Sequence, residues 1–126
     1  RAYQKHAFVP HRQLFANVLQ RLVPRPMLRV DGLPSFGRTT VTEQPGRSMV
    51  HLLAYVPELR GPTIQMIEEP IDVCDLRVSL RIDGATPMRA YHVGTDEDLP
   101  LSISDGYAGV AVDRIRGYAI VVFEHR

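Results

Sequence analysis

The spacing of apolar residues changes abruptly at residues 24–26, and this change divides the chain into two kinds of secondary structure. Before Pro24, apolar residues recur at intervals close to four, as on one side of an α-helix. After Pro26 they recur every second residue, and clusters of Gly and Pro separate the apolar stretches. The sequence therefore predicts one helix followed by many short strands.

The N-terminal segment predicts an amphipathic helix over residues 11–22. Pro10 can occupy its first turn, and Pro24 and Pro26 end it because proline lacks the N–H donor and clashes with the preceding turn. Burying each large apolar side chain would contribute roughly 1.5–3 kcal/mol, so this stripe requires a partner surface. The stripe consists of Leu14, Phe15, Val18, Leu19 and Leu22.

The period-two region predicts an antiparallel β structure. Turns at "QPGR", "IDGATP" and "SDGY" each place Gly where a hairpin needs a positive φ. The fold class is therefore mainly β: a small antiparallel β-sandwich or barrel preceded by one N-terminal amphipathic helix. The strands are expected at about 27–31, 38–44, 47–56, 63–68, 74–82, 88–93, 99–103, 107–113 and 117–124.

Two of these strands are expected to be covered on both faces, and one on a single face. In "RSMVHLLAYV" apolar residues occupy both alternating sets, and "RGYAIVVFE" is a nearly continuous apolar run. In "LRVSLRID" the apolar and polar residues alternate, which predicts that Arg77, Ser79 and Arg81 face water. The second face of the first stretch comprises Met49, His51, Leu53 and Tyr55, and we expect it either to underlie the helix of residues 11–22 or to contact a neighbouring domain.

Composition excludes several classes of protein. A chain of 126 residues is long enough for a single hydrophobic core, and no apolar run approaches the roughly 20 residues that span a membrane. A net charge of +1 gives no reason to expect nucleic acid as a partner.

The lone Cys74 cannot form an internal disulfide, which fits a cytoplasmic location. Because the chain starts at Arg1, we interpret it as a fragment of a longer polypeptide.

The sequence predicts no metal site and no cofactor. His51 lies in an apolar strand without a second ligand two residues away, which favours packing over coordination. His6 and His11 miss the i, i+4 spacing of a helical zinc pair. The acidic residues in "TDEDLP" at 95–100 lack the spaced ligands and central Gly of a calcium loop.

The sequence also predicts no catalytic residue. Glu68 and Glu69 are adjacent, and neighbours on a strand point to opposite faces, so they cannot flank one glycosidic bond. Cys74 has no histidine near it in sequence and is expected to be a buried, inert thiol. The Gly-rich phosphate loops and the nucleophile motif GxSxG are missing.

The order of a helix, a short strand and "QPGRSMVHLLAYVPELRG" resembles the C-terminal end of family 42 type glycoside hydrolases, which are β-galactosidases and relatives. Ala54 stands where that family's "R..VHLLNY" pattern has Asn. The resemblance implies that residues 1–26 end a trimerisation domain and that residues 27–126 form the terminal antiparallel β domain. The catalytic glutamates would lie upstream, in a barrel.

The resemblance implies a non-catalytic accessory domain of a carbohydrate-active β-galactosidase-like enzyme, acting in interdomain packing and assembly. Its partners would be the upstream domains of the same polypeptide and further copies of the chain in a homo-oligomer. The residues expected to make these contacts are Leu14, Phe15, Val18, Leu22, Met49, His51, Leu53 and Tyr55.

Two alternatives stay open at this point. A carbohydrate-binding module for galactosides or related glycans would need aromatic rings in a row, and the chain has no Trp and only five Tyr. A small stand-alone enzyme would need a cleft that brings His51 and Glu68 together with a third titratable group.

Overall fold

A computed structural model describes residues 9–95 and 97–126 of the chain. Helix α1 spans Val9–Leu22, close to the expected bounds, and none of its residues is buried. Helix α1 is the one helix among the described residues. It is neither long nor apolar enough to cross a membrane. The strands are β1 Leu28–Asp31, β2 Arg38–Gln44, β3 Arg47–Leu53, β4 Glu58–Leu59, β5 Gln65–Met66, β6 Asp72–Arg81, β7 Pro87–His92, β8 Glu97–Asp98, β9 Ser102–Ser104, β10 Tyr107–Arg116 and β11 Tyr118–His125.

The strands form two antiparallel layers that share one core. In sheet 1 the order is β1-β6-β10-β9, and in sheet 2 it is β2-β3-β11-β7-β8. Strands β10 and β11 follow each other directly, and they join the two layers at a corner where Arg116 pairs with Tyr118. The predicted mainly β, antiparallel fold with an N-terminal helix is confirmed, as a small sandwich.

Alternation of apolar side chains along the central strands builds the core between the layers. Every second residue points inward along β3 and β11 in sheet 2 and along most of β6 and β10 in sheet 1. The largest fully buried side chains are Leu76, Val78 and Val110 from sheet 1 and Val50, Leu52, Val121 and Phe123 from sheet 2.

Strand β11 is buried on its core face and only partly covered on its outer face, where Ile120 is half-buried and Tyr118 is 46% exposed, so the predicted cover of both faces is only partly met. It lies between β3 and β7. Val121 and Phe123 face the core, while Val122 points the other way and is still only 2% exposed. A strand in this position needs apolar residues at consecutive positions.

The prediction that Cys74 is buried is wrong, because β6 changes faces at this point. Asp75 has a φ of 57°, which interrupts the alternation so that Cys74 and Asp75 are both exposed, while Val73 and Leu76 are buried. Asp113 and Arg114 of the paired strand are likewise both exposed. The change of face is a local backbone distortion that alternation alone does not predict.

The outer face of sheet 1 is partly covered by the segment between α1 and β1, so the prediction that Arg81 and Ser79 face water is only partly met. Arg81 donates from Nη1 to the carbonyl oxygen of Arg25 at 2.5 Å, and the Tyr107 hydroxyl donates to the carbonyl oxygen of Pro26 at 2.7 Å. The Arg29 guanidinium lies 4.1 Å from the centroid of the Tyr107 ring. The segment that follows the helix is therefore held on the sandwich although the helix is not.

Glycines occupy the turns that the sequence indicates. Gly46, Gly84 and Gly106 have φ values of 79°, 83° and 75°, in the left-handed region where other residues are strained. Gly117, at the corner between β10 and β11, also has a φ of 75°. A Cβ at Gly117 would lie 2.5 Å from the Tyr55 ring, so this corner excludes a side chain for two reasons.

Replacing Leu52 by Ala tests the shared core. Leu52 is fully buried, so we expect Leu52→Ala to lower the free energy of unfolding by about 2–5 kcal/mol. Leu59→Ala, the same change at a side chain that is 65% exposed, should change it by less than about 0.5 kcal/mol. Urea unfolding measures both, and equal losses would contradict the assignment of the core.

Replacing Gly117 by Ala tests the corner. We expect Gly117→Ala to lower the free energy of unfolding by roughly 1–2 kcal/mol because Ala is strained at a positive φ. The close contact between the new Cβ and the Tyr55 ring should lower it by about 1–3 kcal/mol more. Gly84→Ala is the matched control, since Gly84 has a similar φ and no atom within 4 Å of the added Cβ. If the two variants unfold at the same urea concentration, Tyr55 does not pack against Gly117.

Candidate functional site

The four helix residues predicted to make interdomain contacts are exposed. They share one stripe of α1, and between 45% and 71% of each side chain's surface is exposed to solvent. None is buried against the sandwich, because no residue of the helix is buried at all. These residues are Leu14, Phe15, Val18 and Leu22.

The other four residues predicted to make interdomain contacts come from β3 and the segment after it, and they lie on the outer face of sheet 2. Met49, His51 and Tyr55 are half-buried, and Leu53 is 38% exposed. Their cover comes from neighbouring strands, since β3 lies between β2 and β11. The structure does not bring them under α1, and their contact with another domain stays a prediction.

Both ring nitrogens of His51 are hydrogen-bonded. Nε2 lies 3.0 Å from Thr42 Oγ1, and Nδ1 lies 2.7 Å from the Tyr118 hydroxyl oxygen. The His51 and Tyr118 rings are stacked, with centroids 6.2 Å apart. In the neutral imidazole, one nitrogen accepts a hydrogen bond and the other donates one, so two hydroxyls satisfy it completely. This arrangement holds three strands of sheet 2 together.

A short arm, residues 56–71, carries exposed apolar side chains that the sequence analysis did not select. It contains β4 and β5, which pair with each other and with no other strand of the described chain. Arg60 forms ion pairs with Glu58 and Glu68 across the arm. Glu69 is exposed as well. The exposed apolar residues are Val56, Leu59, Ile64, Met66, Ile67 and Ile71.

The exposed aromatic rings of the described residues are Phe15 of α1, Phe36 before β2 and Tyr118 of β11. Tyr118 is 46% exposed, whereas Tyr107 is buried and Tyr55 is half-buried. Tyr91 is half-buried, and the Arg89 guanidinium lies 4.6 Å from its ring centroid. Tyr3 lies outside the described residues.

The open end of the sandwich, opposite the Gly117 corner, holds a cavity of about 210 Å³ between the two sheets. Its floor is apolar and includes Leu80, Ala108 and Phe123, which are all nearly fully buried. Its polar lining comes from both sheets and from the turn after β6: Glu43, Gln44, Ser48, Arg81, Asp83 and His125.

Ser48 and His125 form the inner polar contact of this cavity. Ser48 is 4% exposed, and its Oγ lies 3.1 Å from His125 Nε2. Register places them together, since Ser48 pairs with Phe123 and the His125 amide donates to the carbonyl oxygen of Gly46. The two residues are 77 positions apart, so no local motif indicated them.

An ion pair forms part of the cavity rim. Arg81 Nε lies 2.8 Å from Asp83 Oδ1, and Arg81 Nη2 lies 2.9 Å from Asp83 Oδ2. The hydrogen bond from Arg81 is the main cause that lowers the pKa of the Asp83 carboxyl, and the same bond raises the pKa of Arg81. The pair is therefore ionised on both sides at neutral pH and carries no net charge.

Within residues 9–95 and 97–126, no group of three or more His, Cys, Asp or Glu side chains could hold a metal ion. Of the acidic cluster at 95–100, Asp98 pairs with Arg89 at 2.5 Å and Glu97 is exposed. Asp96, and His6 near the N-terminus, lie outside the described residues. Glu68 pairs with Arg60, whereas the hydrogen-bond partners of His51 are the hydroxyls of Thr42 and Tyr118.

Comparison with solved structures shows that the chain has a known fold. The chain superposes on part of "Alpha-L-fucosidase isoenzyme 2 from Paenibacillus thiaminolyticus" with a TM-score of 0.91 and 24% sequence identity. The match covers 98% of this chain and 19% of that chain. The chain thus has the fold of a segment of a much longer glycoside hydrolase. No family model and no curated protein matches the sequence.

Acid titration of an Asp83→Asn variant tests the rim ion pair. Because the folded-state pKa of Asp83 is lowered, its ionised form stabilises the protein above the unfolded pKa of about 3.9, and this contribution is lost as pH falls through the folded pKa. We expect Asp83→Asn to lose less stability than the natural chain on acidification below about pH 4. Thermal unfolding across that pH range measures the difference.

Asp113→Asn is the matched control for this experiment. Asp113 is exposed and makes no ion pair with another described residue. Its variant should show the pH dependence of the natural chain. If Asp83→Asn does the same, the Arg81 contact does not favour the ionised carboxylate.

Proposed function

We propose that this chain is a non-catalytic accessory domain of a multidomain glycoside hydrolase and that its exposed apolar residues contact other domains of that enzyme. The observation that carries the proposal is the fold match to 19% of a fucosidase's length. The exposed stripe of α1 supports it, since such a stripe requires a covering surface. In this proposal residues 1–26 belong to the preceding domain and residues 27–126 form the accessory domain.

The exposed arm at residues 56–71 supports the same proposal from a second direction. Its apolar side chains project away from the core, and its two short strands pair only with each other in the described chain. A soluble domain rarely exposes several large apolar residues on one segment unless that segment meets another surface. The outer face of β3, with Leu53 exposed, provides a third contact region. The partners would be neighbouring domains of the same polypeptide and, in a homo-oligomer, other copies of it.

Two substrate classes follow for the enzyme that contains this domain. The sequence resemblance favours β-galactosides, and the structural similarity is to a protein named an α-L-fucosidase. Both are O-glycosides, and the substrate pocket would lie in another domain. The cytoplasmic location likewise remains a prediction.

Activity of the chain alone and of the enzyme that contains it tests this proposal. We expect no release of nitrophenol from nitrophenyl β-D-galactoside or α-L-fucoside by the chain alone. The coding sequence upstream should encode a barrel with glutamates at the ends of two strands, and the whole enzyme should cleave one of the two substrates. Turnover by the chain alone, or an upstream sequence without such a barrel, would contradict the proposal.

Charged substitutions in the helix test the interdomain contact within that whole enzyme. Leu14→Asp with Leu22→Asp should weaken assembly, because burial of each side chain would contribute roughly 1.5–3 kcal/mol. Gln20→Asp, an exposed polar position of the same helix, is the matched control. Light scattering after size-exclusion chromatography measures the assembly. Unchanged assembly and unchanged thermal stability of the double variant would show that the stripe has no partner.

A further inference from the structure

We propose that the cavity at the open end of the sandwich binds one neutral sugar ring or a polyol of similar size. The cavity lies between the two sheets and measures about 210 Å³, below the roughly 300–1,000 Å³ of pockets for drug-sized ligands. The proposal does not depend on which enzyme contains the domain, because it concerns only residues of this chain.

The cavity combines an apolar floor with polar groups on one side. Met27, Ile82 and Pro87 line the cavity above the buried floor residues and stay partly accessible, so the C–H face of a sugar ring can pack against them. Ser48 and His125 lie beside this floor and share one hydrogen bond. Whichever of the two donates, the Ser48 hydroxyl keeps further hydrogen-bonding capacity for a ligand hydroxyl. Ser48 is 4% exposed and belongs to the cavity lining, so a ligand hydroxyl can reach it only from within the cavity.

The charged side chains of the lining favour a neutral ligand over an anion. Arg81 is already paired with Asp83 through a two-point hydrogen-bonded contact, and Glu43 adds a second carboxylate. Arg81 is the one arginine among the described residues of the lining, so a phosphate or carboxylate would find no unpaired arginine or lysine side chain there. Hydroxyl groups of a ligand can donate to the carboxylate oxygens of Asp83 and Glu43. The ligand that fits this lining is therefore small and uncharged, with several hydroxyls and one apolar face.

Titration of the isotope-labelled chain with D-galactose and with L-fucose tests the site by ¹H–¹⁵N NMR. We expect saturable shifts for amides near Ser48, His125 and residues 82–87 with at least one of the two sugars. D-Glucuronate, which adds a negative charge, should bind more weakly. Absence of saturable shifts at these amides with both neutral sugars would overturn the proposal, and so would tighter binding of D-glucuronate.

Two variants separate this site from other surfaces. Ser48→Ala should weaken binding about three- to tenfold, the effect of losing one hydrogen bond, and Ala85→Phe should abolish it by filling the mouth of the cavity. Thr42→Ala, on the outer face of the same sheet, is the matched control and should bind as the natural chain does. Shifts that persist in both cavity variants, or that cluster at Tyr118, would overturn the proposal and place sugar binding on the outer face.

Discussion

The packing of two apolar sheet faces against each other is the interaction on which the rest of this structure depends. Leu76, Val78 and Val110 meet Val50, Leu52 and Phe123 in one core, and a short chain of this kind has room for only one such layer. Because β10 and β11 are consecutive, the chain must cross from one sheet to the other within a single residue. Gly117 makes this crossing, and Tyr55 closes over it.

The two ends of the sandwich differ as a consequence. At the corner the sheets are joined covalently and the space between them is filled. At the opposite end they separate, and the polar pair of Ser48 and His125 lies where another apolar layer would otherwise continue. The helix and the arm at residues 56–71 contribute nothing to the core, so their apolar side chains are available to another surface. The residues that pack the core and these exposed apolar residues therefore form separate sets.

Most of the strands could be predicted from the sequence because they rest on local information. The alternation of apolar and polar residues predicts β6 and β10, and the continuous apolar run predicts β11. Gly46, Gly84 and Gly106 mark turns in which the backbone has a positive φ. The features that were missed depend on contacts between distant residues. The change of face at Cys74 and Asp75, the attachment of residues 25–26 to Arg81 and Tyr107, and the meeting of Ser48 with His125 all require the register between strands. The helix shows a different case: its apolar stripe was predicted from local spacing, and no residue of the helix is buried in the structure.

Amide hydrogen exchange of the chain tests most directly whether the sandwich is a folding unit that does not include the helix. A helix of 14 residues without a buried face is marginally stable in water, whereas central strands open only when the whole domain unfolds. We predict that amides of α1 exchange orders of magnitude faster than those of β10 and β11. Protection of α1 equal to that of β11 would contradict this division, because it would show that the helix packs on the sandwich as part of one cooperative core.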